Sequence, residues 1–388
     1  MNKKFRIGIV GGVGHIGLPL SLILAKKFKV TIIDPSKKKE LVKKKKPPFK
    51  DNGMQKYLND VVVQANLDFI DTLEDTTLKY DAIIITLGTP IDEWGNTNHK
   101  DLLEIIHKSS KFLTNKKILI LRSTINPGFS TKISKILKNV NIFYCPERIV
   151  QGKSFTEIFE IPQIIGCDNK TKQYFNIVKK IFYFSPLFIK TSLIEAELIK
   201  LFNNFYRYCS FAISNQMYLI SNDYNVSFSK ILKNMKYNYP RALNLAGAGF
   251  AAGPCLYKDT YQLASTYFGD FSLGNAAIEI NEKKLVQKTC EIAIQNSHFK
   301  RIIILGASFK ANCDDHRSSL SFKILNILKI NTDKTILLYD PLVKHPKVSC
   351  SFSPNFKKDY FILATKHRIF NNLIKKIPKN SLLNIWDS

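Results

Sequence analysis

The sequence predicts an α/β protein in which two parallel-rich sheets, one towards each end of the chain, are joined by a central helical domain containing one long helix. Three observations carry this reading. A strand, a glycine turn, a helix and a second strand follow one another between Arg6 and Asp34. From Glu195 to Asn222 no Gly or Pro interrupts a run rich in apolar residues. Beyond Lys300 the alternation of apolar strands and helical segments begins again. At 388 residues the chain exceeds one compact core, and the expected division is 1–194, 195–297 and 298–388.

The elements support this in order. Arg6 to Val10 is an apolar strand that opens into Gly12, Val13, Gly14, His15, Ile16 and Gly17, then a helical pattern through Leu22 and Leu24, then the strand Val30–Ile33 ending at Asp34. This is the context that the Gly-x-Gly-x-x-Gly dinucleotide fingerprint requires. Its glycines allow a tight turn and close approach of a pyrophosphate to a helix N-terminus. Asp34 suits the adenosine ribose hydroxyls, which favours NAD over NADP. Further strands at 82–86, 117–121 and 141–144 lead into turn-rich segments carrying Thr89, Thr124 and Glu147. Ligands of open α/β sheets gather at such strand ends, although turn formation alone also explains the Pro and Gly residues there.

The run from Glu195 to Asn222 reads as one long helix, largely buried and suited to packing against a second copy of itself. Lys200, Asn204 and Arg207 share one face of it. A lysine there is either used or reaches out to solvent. Strands at 301–305, 335–339, 360–363 and 382–386 form a second Rossmann-like domain without the glycine fingerprint. Its Lys310 and Arg317 can meet a phosphate or simply decorate the surface.

Composition narrows the partners. The net charge is +27, yet the lysines are spread along the chain, and the dense run Lys37 to Lys46 carries no interleaved aromatics. It reads as a solvated surface rather than a nucleic-acid site. No segment has the length and apolarity of a membrane span or signal peptide. Seven scattered cysteines, never spaced Cys-x-x-Cys, argue against a disulfide framework or a metal site and for a reducing cytoplasm.

The densest chemistry lies in Gly249-Phe-Ala-Ala-Gly-Pro-Cys-Leu-Tyr-Lys-Asp259. Small residues permit a tight turn, a single thiol, Cys255, follows it, and a cation and a carboxylate come next. Such a thiol is a nucleophile if its thiolate is favoured, or else a small buried hydrophobe.

These blocks in this order resemble the UDP-glucose/GDP-mannose dehydrogenase family, over essentially the whole chain. The resemblance is carried by Gly12 to Pro19, Ser123-Thr124, Cys145-Pro-Glu-Arg148, Lys200 through Asn204 to Arg207, Gly249 to Asp259, and Ser308-Phe-Lys310 through Arg317. It implies four-electron oxidation of a nucleotide-sugar CH2OH to a carboxylate with NAD, for surface-polysaccharide precursors. In this chemistry Cys255 forms a thiohemiacetal and then a thioester. Lys200 and Asn204 stabilise the oxyanion, while Asp259, Glu147 and Thr124 handle protons and the hydrolytic water. Glu147, Arg148, Lys200, Asn204, Arg207, Gly249, Lys310 and Arg317 would contact the UDP-sugar, and Arg241 would reach the substrate of a neighbouring subunit in a homodimer.

The sugar is read from finer features. Cys145-Pro-Glu-Arg148, Gln151-Gly-Lys-Ser-Phe155 and Ile161-Pro-Gln-Ile-Ile-Gly166 are similar to the UDP-N-acetylhexosamine branch, closest to UDP-N-acetyl-D-mannosamine oxidation, whereas Lys258-Asp259-Thr260 is a glucose-type ending. UDP-glucose and UDP-N-acetylglucosamine are the alternatives. The cysteine loop departs from the family pattern at Ala251-Ala252, where Gly-Gly is common, and Gln216 stands where a glutamate is usual. A 6-phosphogluconate-like dehydrogenase shares the first domain and a long helix but needs neither the cysteine nor the second sheet. A non-catalytic nucleotide-binding homologue is the alternative of another class.

Overall fold

The computed structural model describes residues 5–90, 100–267, 269–296 and 298–387. The chain divides into two compact units at Phe202/Asn203, inside the long helix.

The first unit is built on an eight-stranded sheet. Its strands are β1 (Arg6–Val10), β2 (Lys29–Ile33), β3 (Leu67–Ile70), β4 (Tyr80–Ile85), β5 (Leu113–Leu121), β6 (Asn141–Tyr144), β7 (Gln163–Gly166) and β8 (Phe188–Thr191). They lie in the order β3-β2-β1-β4-β5-β6-β7-β8, and only the β6–β7 pairing is antiparallel. Ile9 pairs with Ile32 on one side and Ile84 on the other, and all three are fully buried. The Ile-rich central strands are covered on both faces, as parallel sheets require.

Strands β3, β7 and β8 extend this sheet beyond the sequence reading. The first two have four residues each, and β7 directly follows Pro162. The third, also of four residues, is an edge strand whose Ile189 and Lys190 face solvent. Short or one-sided strands lack the continuous apolar run that marks the central ones.

The second unit carries a four-stranded, all-parallel sheet, β9 (Arg301–Leu305), β10 (Thr335–Tyr339), β11 (Asp359–Leu363) and β12 (Leu382–Leu383), in the order β10-β9-β11-β12. The last strand is shorter than its apolar run suggests. Asn384 Oδ1 accepts the Trp386 backbone N–H at 3.2 Å, and the chain turns into a 3₁₀ segment at Ile385–Asp387.

The long helix runs from Leu193 to Asp223. A capping box starts it: Glu195 Oε2 accepts from the Ser192 N–H at 2.8 Å and its hydroxyl at 2.7 Å, and the Glu195 N–H donates back to that hydroxyl at 3.3 Å. The helix is less covered than expected. Tyr206, Ile213 and Ile220 recur every seven residues at 64%, 47% and 49% exposure, and Phe202 lies one turn before them at 53%. The apolar character on every face thus resolves into one core-facing side and one solvent-facing seam.

Candidate active site

In the first unit the glycine turn leaves β1 and enters a helix at Gly17–Leu24. The Gly14 N–H donates to the Gly11 carbonyl at 3.1 Å, and the Leu18 N–H to the Gly14 carbonyl at 2.9 Å. A Cβ on Gly17 would lie 2.2 Å from the Gly11 carbonyl oxygen, so no other residue fits this turn. Val13 is buried, His15 rests on Phe49 with ring centroids 4.0 Å apart, and Ile16 faces outward. Asp34, at the end of β2, accepts from the Val13 N–H at 3.2 Å and the Ser36 N–H at 2.9 Å. A glycine cradle at a helix N-terminus beside a strand-end carboxylate is a fit for the pyrophosphate and ribose of NAD.

Two neighbouring strand ends meet beside it. Thr89, following β4, donates its hydroxyl to the Thr124 carbonyl following β5, at 2.6 Å. Glu147 follows β6, and its partner is a residue the sequence reading passed over. Arg122, the first residue after β5, is 3% exposed. Its guanidinium pairs with Glu147 Oε2 through Nε at 3.0 Å and through a second nitrogen. It also donates to the Cys145 carbonyl at 3.1 Å and to Gln163 Oε1 at 2.9 Å. The other Glu147 oxygen accepts the Arg148 and Ile149 N–H groups at 2.8 and 3.0 Å. The Arg148 side chain donates to the Pro162 carbonyl.

The long helix carries Lys200, a buried residue only 8% exposed. Three residues earlier, fully buried Glu197 accepts from the Gly128 N–H at 2.6 Å and from the N–H and hydroxyl of Ser130 at 2.7 and 2.6 Å. It closes the N-terminus of the helix Phe129–Ile136 that follows the Thr124 loop. Burial pushes its carboxyl above the usual carboxylate range, against those hydrogen bonds.

In the second unit Cys255 is exposed and stands as the N-cap residue of the helix Leu256–Thr266. The buried-hydrophobe alternative therefore falls. The helix dipole at that end favours a thiolate. Burial instead raises the Cys209 thiol to about 11 and the Cys290 thiol to about 12. One turn along, buried Asp259 donates its N–H to the Cys255 carbonyl at 2.8 Å, and its carboxylate accepts from Asn204 Nδ2 at 2.5 Å and pairs with Lys258 at 3.1 Å. Cys255, Asn204 and Asp259 are thus brought together.

Arg317 joins them. It forms a bidentate pair with Asp315, which raises its affinity for the proton, and Cys255 adds to that effect from within electrostatic reach. The Gly253 N–H donates to the Ser318 carbonyl at 3.2 Å, and a Cβ on Gly253, whose φ is +107°, would strike the Phe309 ring. The loop 306–318 is itself held from below: buried Asp340 accepts the Ala307 and Ser308 N–H groups at 2.7 and 3.2 Å and meets His367 Nε2 at 3.0 Å. Lys310 is half-buried, and its carbonyl accepts from Ser308 at 2.8 Å. Arg207 and Arg241 are exposed, the latter over the Tyr239 ring.

Arg122, Glu197, Asp340 and His367 were missed because each acts on another residue's loop. The only local signal was a charged side chain within an otherwise buried apolar segment. Among the described residues no helix is long and apolar enough to cross a membrane.

Comparison with known proteins agrees with this arrangement. Three domain profiles of the UDP-glucose/GDP-mannose dehydrogenase family match in sequence: the NAD binding domain over residues 5–184, the central domain over 194–283 and the UDP binding domain over 303–383. The chain is 26% identical to the UDP-N-acetyl-D-mannosamine dehydrogenase of Pyrococcus horikoshii, across 95% of this chain and 91% of that one. It is 27% identical to the UDP-glucose 6-dehydrogenase of Rickettsia prowazekii, across 85% and 80%. The solved structure of the Pyrococcus horikoshii enzyme superposes with a TM-score of 0.82 at 26% identity, covering 97% of this chain and 93% of that one. A UDP-glucose dehydrogenase from Pyrobaculum islandicum shares the fold at the same TM-score and 17% identity, covering 97% and 92%. The chain belongs to the UDP-glucose/GDP-mannose dehydrogenase family and is an NAD-dependent oxidoreductase.

Proposed function

We propose that this protein oxidises the C6 alcohol of a UDP-N-acetylhexosamine, UDP-N-acetyl-D-mannosamine in the first instance, to the corresponding uronic acid. The observation that carries this reading is the exposed Cys255 at a helix N-terminus, with Asp259 and Asn204 joined one turn away. NAD, when bound, would supply the hydride acceptor for each of two oxidations, and Gly12 to Gly17, Asp34 and Thr89 would hold it.

The chain's own groups do the rest. Loss of the first hydride and the hydroxyl proton leaves an aldehyde. The Cys255 thiolate adds to its carbonyl carbon, and Lys200 and Asn204 receive the oxyanion that forms. Loss of the second hydride gives a thioester, which water cleaves to the acid, restoring the thiol. Asp259 and Glu147 take the protons of this sequence, and Thr124 helps to place the water. Arg148, Arg207, Gly249, Lys310 and Arg317 hold the nucleotide-sugar. The division 1–194, 195–297 and 298–388 separates cofactor, cysteine-loop and UDP-sugar functions.

A homodimer formed along the seam of Tyr206, Ile213 and Ile220 completes the assembly, with Arg241 extending to the partner's substrate. The reducing cytoplasm suits an enzyme that depends on a free thiol, and surface-polysaccharide precursors are the destination of such uronic acids. UDP-glucose is the second reading, favoured by Lys258-Asp259-Thr260 and by the Rickettsia relative.

The test is NADH formation across UDP-N-acetylmannosamine, UDP-N-acetylglucosamine, UDP-glucose, UDP-galactose and GDP-mannose. Two NADH per UDP-N-acetylmannosamine consumed, with the highest kcat/KM of the set, is the expected result. One NADH per sugar sinks the four-electron mechanism, and preference for UDP-glucose sinks the assignment of the sugar.

A further inference from the structure

The loop that presents Cys255 begins at Gly249, and Gly249 is gripped by side chains outside the catalytic set. Asn215, on the long helix and fully buried, donates from Nδ2 to the Gly249 carbonyl at 3.0 Å and accepts the Gly249 N–H on Oδ1 at 2.8 Å. One side chain thus takes both polar groups of one residue's backbone, as a neighbouring strand would. Its remaining Nδ2 hydrogen goes to Asn281 Oδ1 at 2.8 Å, and Asn281 Nδ2 donates to the Tyr208 carbonyl at 3.1 Å.

Asn281 is also fully buried and sits in the π-helical segment Glu279–Lys284, an irregularity between the helices Ser272–Ile278 and Leu285–Gln295. Such segments are rare and occur often at functional sites. Buried carboxamides are costly unless their hydrogen bonds are made, and here those bonds lead to the cysteine loop. The same helix holds the loop earlier, where Ser214 donates to the Ala246 carbonyl at 2.6 Å. On the other face of Gly249 lies Trp386, whose ring a Cβ would meet at 2.3 Å.

We propose that Asn215, braced by Asn281, is a positioning residue for Cys255: it fixes the start of the cysteine loop and so holds the thiol for attack on the aldehyde. This rests on the reading of Cys255 as nucleophile. The first oxidation does not use the thiol, so loss of the clamp impairs the second step more than the first. The aldehyde then escapes before capture.

The experiment compares Asn215→Ala and Asn281→Ala with wild type. Acid formation and NADH are followed with hydroxylamine present to trap free aldehyde, and iodoacetamide labelling of the Cys255 peptide is timed by mass spectrometry on folded protein. Acid formation by Asn215→Ala is expected to fall about 100-fold, the cost of an ångström-scale misplacement, with KM for NAD unchanged and trapped aldehyde appearing. Labelling of Cys255 slows in parallel, and Asn281→Ala shows the same pattern more weakly. Wild-type labelling and acid formation in folded Asn215→Ala overturn the proposal, as does an equal loss of both oxidation steps. If wild type itself makes no NADH from any UDP-sugar, the functional reading fails, and the labelling rates still decide the clamp.

Discussion

Glu147 and Arg122 form a buried ion pair in which both oxygens of the carboxylate accept hydrogen bonds. Arg122 supplies two donors to Oε2, and the Arg148 and Ile149 N–H groups supply two to Oε1. The two side chains are 2% and 10% exposed, and Phe182 lies against the guanidinium. Glu147 therefore holds its own loop in place as well as standing at the strand end. Removing Arg122 leaves a buried charge without its partner, at a cost of about 3–5 kcal/mol. Arg122→Met should lower stability by that amount in urea unfolding, and Arg122→Lys by less. A Met variant as stable as wild type contradicts the pairing.

Cys255→Ser should abolish formation of the acid and leave NAD binding unchanged, because the glycine turn lies in the other compact unit. Isothermal titration with NAD, alongside product analysis, checks both halves. Acid produced at the wild-type rate by this variant removes the cysteine from the mechanism.

The capping box at the long helix makes stability depend on pH. Hydrogen bonds from Ser192 and Thr191 lower the Glu195 carboxyl from 4.5 to about 2. A depressed folded-state pKa means stabilisation that is present above about pH 4.5 and lost as pH falls towards 2. Glu195→Gln should melt below wild type at pH 7, and the gap should narrow at pH 3. A gap that does not change between the two pH values refutes the assignment.

Exposure of Tyr206, Ile213 and Ile220 at heptad spacing predicts self-association through the long helix. Light scattering should report a dimer for the wild type and a monomer for Ile213→Asp. Dilute wild-type protein that scatters as a monomer would count against the interface.

Much of this protein was legible without coordinates. The Ile-rich central strands, the glycine turn ending in Asp34 and the uninterrupted long helix are written in local patterns, whose periods of 2 and 3.6 residues belong to the chain itself. Cys255 and Asp259 could be read for the same reason, since one short stretch of sequence holds both. Tertiary structure alone decided the rest. It made Cys255 exposed while five other cysteines are buried, and it drew Arg317 towards the thiol. It paired Arg122 with Glu147 across 25 residues and Asn215 with Gly249 across 34. Such partners share no local pattern. Each is chosen when a buried polar group must find a donor or acceptor wherever the fold brings one, and that choice is made in space rather than along the sequence.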